Sequence, residues 1–354
     1  MSIDIINDRK SQVSHHSHII DIIRALSAIF IVLYHYTYRY NENKFIIDAH
    51  AEISWPFQVS WGYGAVSTFF ILSGYLLAKN VENVKAQAGH IFIKRMTRLY
   101  PTYWVCMSIT TLVLLTIFPE AKVSLKEYLI NLSMLASNFK TRFVDGAYWT
   151  MAYEVKFAVI VFLLLLIPKI STRKITIGLI LIFSILEVFY GNLLLFKILR
   201  VCLIIDWIQV FVSGIAIHYI QKKKSDIGYW VILFLCLCAQ FYRHSSSASP
   251  SNIFFIATLL LLYLRPKLDL INIPDIIYRL FEFIALISYP LYLLHQMIGF
   301  AIIKWLRSVG QTSELWIILP VGVSIILALI IHKFIEVPTS KGSFINWPRL
   351  QSKQ

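Results

Sequence analysis

The sequence predicts an all-α fold, a polytopic integral membrane bundle of about ten transmembrane helices with both termini cytoplasmic. Three observations carry that expectation. Apolar residues fill 58% of the 354 positions and charged residues only 15%, at a mean hydropathy of +0.67, where an ordinary soluble domain is roughly 25% charged. Apolar windows recur at close to the length of about 20 residues that a bilayer core demands. Lysine and arginine crowd into alternate connections between those windows, as topology signals do. A chain this apolar has too few polar residues to cover a soluble core. That excludes a soluble enzyme, a disordered hub and a secreted disulfide scaffold. Ten spans with short connections use the whole length and leave no room for a second folded domain.

The organisation expected is a cytoplasmic tail over 1–18, a transmembrane domain over 19–340 and a cytoplasmic tail over 341–354. Residues 1–18 are polar, and the first apolar run opens with Asp21 and Arg24, charges that a secretory leader would not normally carry. His15, His16 and His18 have no neighbouring carboxylate or cysteine to complete a coordination sphere, so no metal site is expected. The windows fall near 19–38, 61–78, 99–118, 148–167, 175–190, 201–220, 227–242, 252–264, 280–302 and 315–335. With the N-terminus inside, inner segments hold 20 of the 33 Lys and Arg and outer segments 11, the bias expected of that orientation. Segment 121–140 is weakly amphipathic and suits a helix along the outer interface. The serine-rich stretch 245–251 is an outer loop. Cys106, Cys202, Cys236 and Cys238 sit in apolar stretches at spacings that call for neither a disulfide nor zinc. The net charge of +14 is spread thinly over the connections, which points to membrane lipid headgroups and not to nucleic acid.

Polar groups inside the spans are costly and mark a partner or a cavity. Arg24 and His35 are eleven residues apart, which returns them to one helix face within about 20° and separates them by roughly 16 Å along the axis. Asp21 shares the stripe. Arg24 starts near the cytoplasmic edge and His35 lies toward the outer half. The plainer account is that Arg24 snorkels and His35 is interfacial among tyrosines. Ser73 and Gly74 suit close helix packing ahead of Tyr75. Arg95 and Arg98 lie on one face if helical, and with Lys94 form either a fork for a phosphorylated ligand or an inner membrane anchor. Trp149 opens the fourth window and Glu154 follows, expected about one turn inside the outer face near the depth of His35. Ser288, Tyr292 and His295 share a face beside Pro290, as a catalytic or a packing network. Lys156, Glu187 and Asp206 are intramembrane charges with no assigned partner.

In order, Arg24-x10-His35, Phe69-Phe70-x-Leu72-Ser73-Gly74-Tyr75, Arg95-x-x-Arg98-x-x-Pro101, Trp149-Thr150-x-x-x-Glu154, Ser288-Tyr289-x-x-Tyr292-Leu293-x-His295 and Glu336-x-Pro338 resemble the acyltransferase-3 family of bacterial membrane O-acyltransferases, the O-antigen and exopolysaccharide acetylase type. The resemblance covers about 19–340 and is to the stand-alone transmembrane form. Met151 stands where the family more often has Leu, a volume-conserving change. The resemblance implies an enzyme of the bacterial inner membrane. It would transfer an acyl group, usually acetyl from acetyl-CoA as co-substrate with no permanently bound cofactor, to a glycan or lipid-linked saccharide. It implies His35 as the essential histidine, Arg95 and Arg98 as donor-binding and Glu154 as the acid of the W-T motif.

A sugar hydroxyl needs a base as it attacks, and histidine is the usual one. Glu154, or else Asp21, would orient its second ring nitrogen, Glu154 being favoured by depth. Arg24 or a tyrosine would serve the oxyanion, unless Arg24 merely pairs with Asp21. Direct transfer is the default over an acyl-enzyme on Ser73. The rival from another class is a transporter or flippase whose buried charges line a path, although the chain has no two similar halves.

Overall fold

In the computed structural model, which describes residues 17–40, 58–83, 88–118, 122–244, 249–311 and 313–340, every described regular element is helical. All but Ser17 and His18 of the tail expected at 1–18, the tail expected at 341–354 and most of the first outer connection lie outside those residues. Helix α1 (His18–Tyr34) starts at Ser17, whose hydroxyl accepts from the Ile20 N–H, and runs on as a π-helical turn, His35–Arg39. Next come α2 (Ala65–Asn83), α3 (Ala88–Ile117), α4 (Leu125–Asn131) and α5 (Trp149–Leu166). They are followed by α6 (Ile170–Tyr190), α7 (Leu194–Leu203), α8 (Ile208–Lys222) and α9 (Ile227–Arg243). The chain closes with α10 (Pro250–Leu268), α11 (Asp275–Ser308) and α12 (Ile318–Ile331), the last continuing into a second π-helical turn, His332–Glu336.

All ten apolar windows fall on helix, although fewer than ten of those helices meet the length and composition of a full span. Among the described residues seven helical segments are long and apolar enough to cross a membrane, or eight when α7 and α8 count as one span bent by 50°. The bend falls where Ile204 takes a left-handed backbone, φ 49°, and ends α7. Helix α9 has 17 residues, about 25 Å at 1.5 Å per residue, which is short of a core of about 30 Å. Helix α6 carries Arg173, Lys174 and Glu187.

Two contacts set the frame. Helices α1 and α11 run parallel, with Asp21 meeting Tyr278, Arg24 meeting Ser288 and Tyr36 meeting the His295 carbonyl in rising order. Helices α2 and α8 cross at bare backbone. A Cβ on Gly74 would collide with the Phe211 carbonyl, and one on Gly214 with the Ile71 carbonyl and Tyr75 N–H. One apolar cluster gathers around α2, α8 and α10, a second around α3, α11 and α12. Phe69 and Tyr292 pack against both, so the seam between the clusters runs past these two rings.

The segment after α3 differs from the expected interfacial helix. Only Leu125–Asn131 is α-helical, opened by a capping box in which Ser124 and Glu127 bond each other's backbone N–H. It docks on the side of α3. Tyr103 donates to the Asn131 carbonyl and the Trp104 indole to the Leu132 carbonyl. The chain then turns inward, and the short turn Gly146–Tyr148 is buried ahead of α5.

Candidate active site

A cavity of about 170 Å³ opens along that seam. Four polar or charged groups from four helices face it: Arg24 from α1, Ser73 from α2, Arg95 from α3 and Glu154 from α5. Helix α11 adds Ser288 and Tyr292, and α3 adds Arg98. Its walls are Val66, Phe69, Leu72, Leu76 and Leu99 among others. A small, largely apolar chamber with convergent polar groups is the form that ligand sites take.

The polar groups are wired to one another. The Arg95 guanidinium donates to both Glu154 and the Ser73 hydroxyl, and Ser73 in turn donates to Glu154 at 3.0 Å. The Arg95 and Glu154 side chains are 17% and 12% exposed, so each neutralises a charge that the low-polarity surroundings would otherwise reject. Arg24 donates to Ser288 at 2.9 Å. Arg98 is half-exposed and stands 3.7 Å from Glu336, whose other oxygen lies 2.8 Å from His332 Nδ1. Thr150 and Tyr292 hydroxyls are 2.8 Å apart, and Tyr292 also donates to the Ala147 carbonyl.

The histidines lie one step further along. His295 follows Tyr292 by a turn of α11, their rings 5.7 Å apart, and the His35 ring meets the His295 ring edge-on at 4.9 Å. His35 opens the π-helical turn, a local widening that recurs at functional sites. Three side chains hold α11 here. Tyr36 donates to the His295 carbonyl, Tyr148 donates to the Leu293 carbonyl, and Asp145 accepts from the Met297 N–H.

Of the residues singled out in the sequence, the cavity collects Arg24, Ser73, Arg95, Arg98, Glu154 and Tyr292. It does not collect Asp21, His35, Lys94, Tyr75, Trp149 or His295. Lys94 points to the exterior. Tyr75 donates to Gln221. Trp149 packs against Phe70, Tyr153 and Trp207. Asp21 accepts from Tyr278.

Two expectations need correction. Glu154 was expected at the depth of His35, as the carboxylate that orients its ring. It is bonded to Arg95 and Ser73 instead, and neither it nor Asp21 bonds His35 Nδ1, which is buried without a hydrogen-bond partner. The expected depth would follow if α5 started at the membrane surface. Helix α5 starts below the buried turn Gly146–Tyr148, packed at the level of Leu293 and Met297. Five residues further in, Glu154 has passed the histidines. The packing role expected for Ser73 and Gly74 together holds for Gly74 alone, because Ser73 faces the cavity.

Ser288, which shares its helix face with Tyr292, and Thr150, which follows Trp149, complete the polar lining. The unassigned charges find partners outside the cavity. Glu187 is clamped by Arg200 and Arg243, and Asp206 accepts from Tyr153 at 2.8 Å.

Comparison with known proteins agrees with the way the motif residues cluster. Residues 17–333 match the profile of acyltransferase-3, described as an acyltransferase domain. The chain is 23% identical over 375 residues to the peptidoglycan O-acetyltransferase OatA of Listeria monocytogenes, an alignment that covers 93% of this chain and 56% of that protein. It therefore spans little more than half the length of that relative. No solved structure matches. With nine-tenths of its length inside one family profile, and that family's motif residues drawn from five helices to one cavity and the histidine pair beside it, the chain belongs to the acyltransferase-3 family.

Proposed function

We propose that this protein is a membrane O-acyltransferase. It moves an acyl group, acetyl in the first instance, from cytoplasmic acyl-CoA to a hydroxyl of a cell-surface or lipid-linked glycan, across a bacterial cytoplasmic membrane. The observation that carries the reading is the convergence of Arg24, Ser73, Arg95, Glu154 and Ser288 on one chamber, with a histidine pair one helical turn beyond Tyr292. Arg98, half-exposed at the cavity edge, suits the anionic phosphates of the donor by forked hydrogen bonds. In this reading the thioester arm enters the cavity and its carbonyl comes to lie beyond Tyr292, beside His35.

At His35 the acceptor hydroxyl oxygen attacks the thioester carbonyl carbon while the imidazole takes its proton. The new C–O bond forms, the C–S bond breaks, and the departing CoA thiolate takes the proton back from the imidazolium. Ser73 is engaged with Glu154 and Arg95, so transfer runs directly and not through an acyl-serine.

Purified protein in lipid, given acetyl-CoA and a glycan acceptor, is expected to release CoA with transfer of the acetyl mass. His35→Ala should lower turnover by about 10²–10⁴, the contribution of a general base, with membrane expression unchanged. Wild-type protein that moves saccharide across a bilayer without consuming acyl-CoA would establish the transporter reading instead.

A further inference from the structure

A histidine base needs its second nitrogen held, because only the ring nitrogen without a proton can accept one, and the group bonded to the other nitrogen decides which that is. Carboxylates usually do this. Here the largely buried acids of α5, α12 and the turn before α5 have other partners. Glu154 is bonded to Arg95 and Ser73, Asp145 to the Ala147 and Met297 N–H groups, and Glu336 to His332.

His295 is fully buried. Its Nδ1 lies 2.8 Å from the Tyr292 carbonyl and 3.2 Å from the Leu291 carbonyl. Carbonyl oxygens only accept, so Nδ1 of His295 carries the proton and its Nε2 is a bare lone pair. That Nε2 is buried without a hydrogen-bond partner, and so is Nδ1 of His35 on the adjoining ring. The two nitrogens are not bonded to each other in this structure, but their rings stand edge-on with centroids 4.9 Å apart, and buried ring nitrogens left without partners are costly.

We propose that His295 is the positioning residue for His35. Its bare Nε2 accepts a hydrogen bond from His35 Nδ1–H, which leaves Nε2 of His35 unprotonated and facing the acceptor hydroxyl. The orientation starts at the α11 backbone. The Tyr292 and Leu291 carbonyls fix the tautomer of His295, and His295 fixes that of His35. Tyr36, which donates to the His295 carbonyl, and Gly299, whose bare Cα lets the Tyr36 ring approach, keep α1 and α11 in register for the bond. This inference rests on the assignment of His35 as base made above, and it adds the group that makes that base competent.

The test combines ¹⁵N NMR of the histidine rings with steady-state kinetics on full-length protein in lipid. The His35 signals are identified among the 10 histidines by their loss in His35→Ala. Wild-type His35 is expected as the Nδ1–H tautomer, the less common form of a neutral imidazole. His295→Phe keeps the ring shape but removes the acceptor. It should return His35 to the Nε2–H tautomer and lower kcat by about 10–100-fold, as loss of such outer partners does, with KM for the donor unchanged. His295→Gln, whose amide oxygen falls near the lost Nε2, should restore the Nδ1–H tautomer and most of kcat. A wild-type His35 protonated on Nε2 overturns the proposal whether or not any variant folds, and so does an unchanged tautomer in a folded His295→Phe. Full activity in His35→Ala would overturn the base assignment instead, while the tautomer measurement still reports whether the two rings are bonded.

Discussion

Arg95 and Glu154 are the pair on which the chamber depends. Both are largely buried, and each is the other's neutralising partner. Truncating one partner of such a pair leaves an uncompensated charge, at about 3–5 kcal/mol. Glu154→Leu alone should therefore lower the midpoint of thermal unfolding more than the combined Arg95→Met, Glu154→Leu variant does. The double variant is expected to recover stability but not acyl transfer. For donor binding, replacing Arg95 and Arg98 together by Ala should raise KM for acyl-CoA more than KM for the acceptor, and steady-state kinetics with each substrate varied in turn decides it. An equal rise in both would identify the pair as a membrane anchor. Ser73 shows what a local motif leaves open. It neighbours Gly74 in an apolar run, and the crossing with α8 uses the glycine while the hydroxyl turns to the carboxylate.

At the scale of elements, the contact between α2 and α8 permits no side chain at either glycine, because the obstacle on each side is backbone. Gly74→Ala and Gly214→Ala should each force the helices apart, distorting the wall that carries Ser73. Lower yield of folded protein in size-exclusion chromatography and weakened donor binding are the expected readouts. The capping box of α4 responds to acid. The Ser124 N–H bonded to Glu127, with Arg142 beside it, holds that carboxylate below its usual range. A depressed carboxylate contributes stability above its unfolded pKa and loses it as pH falls through the folded pKa. Protection of the backbone amides over 122–144, measured against their intrinsic exchange rates, should therefore fall on acidification below the usual carboxylate range, and Glu127→Gln should remove that dependence. The broken α7–α8 segment and the short α9 were each legible as apolar windows. Their bend and their length relative to the bilayer were not, because hydropathy averages over a window and ignores one left-handed residue such as Ile204.

For the whole molecule, the parallel arrangement of α1 and α11 places their polar faces side by side and aligns Arg24 with Ser288 and His35 with His295. The ten-span orientation expected from the lysine and arginine distribution predicts the turn after α8 on the inside and the loop after α4 on the outside. A cysteine introduced at Lys223 should then resist a membrane-impermeant maleimide in intact cells and react after permeabilisation, while one at Asn138 should react in both. The reverse pattern would invert the proposed direction of transfer.

The amino-acid sequence alone determined the class of molecule, the position of its helices and the residues that share a face, since hydropathy and helical periodicity are properties of contiguous chain. It also held the motif set, so Arg24, Arg95, Arg98, Glu154 and Tyr292 could be singled out before their cavity was visible. Which of them pair was decided by tertiary structure. The depth of Glu154 follows from a buried turn docked on a helix about 150 residues away in the chain, and the partner of His35 lies 260 positions further on. Partners and axial depth are set by how helices pack against one another, and a local pattern carries no record of that.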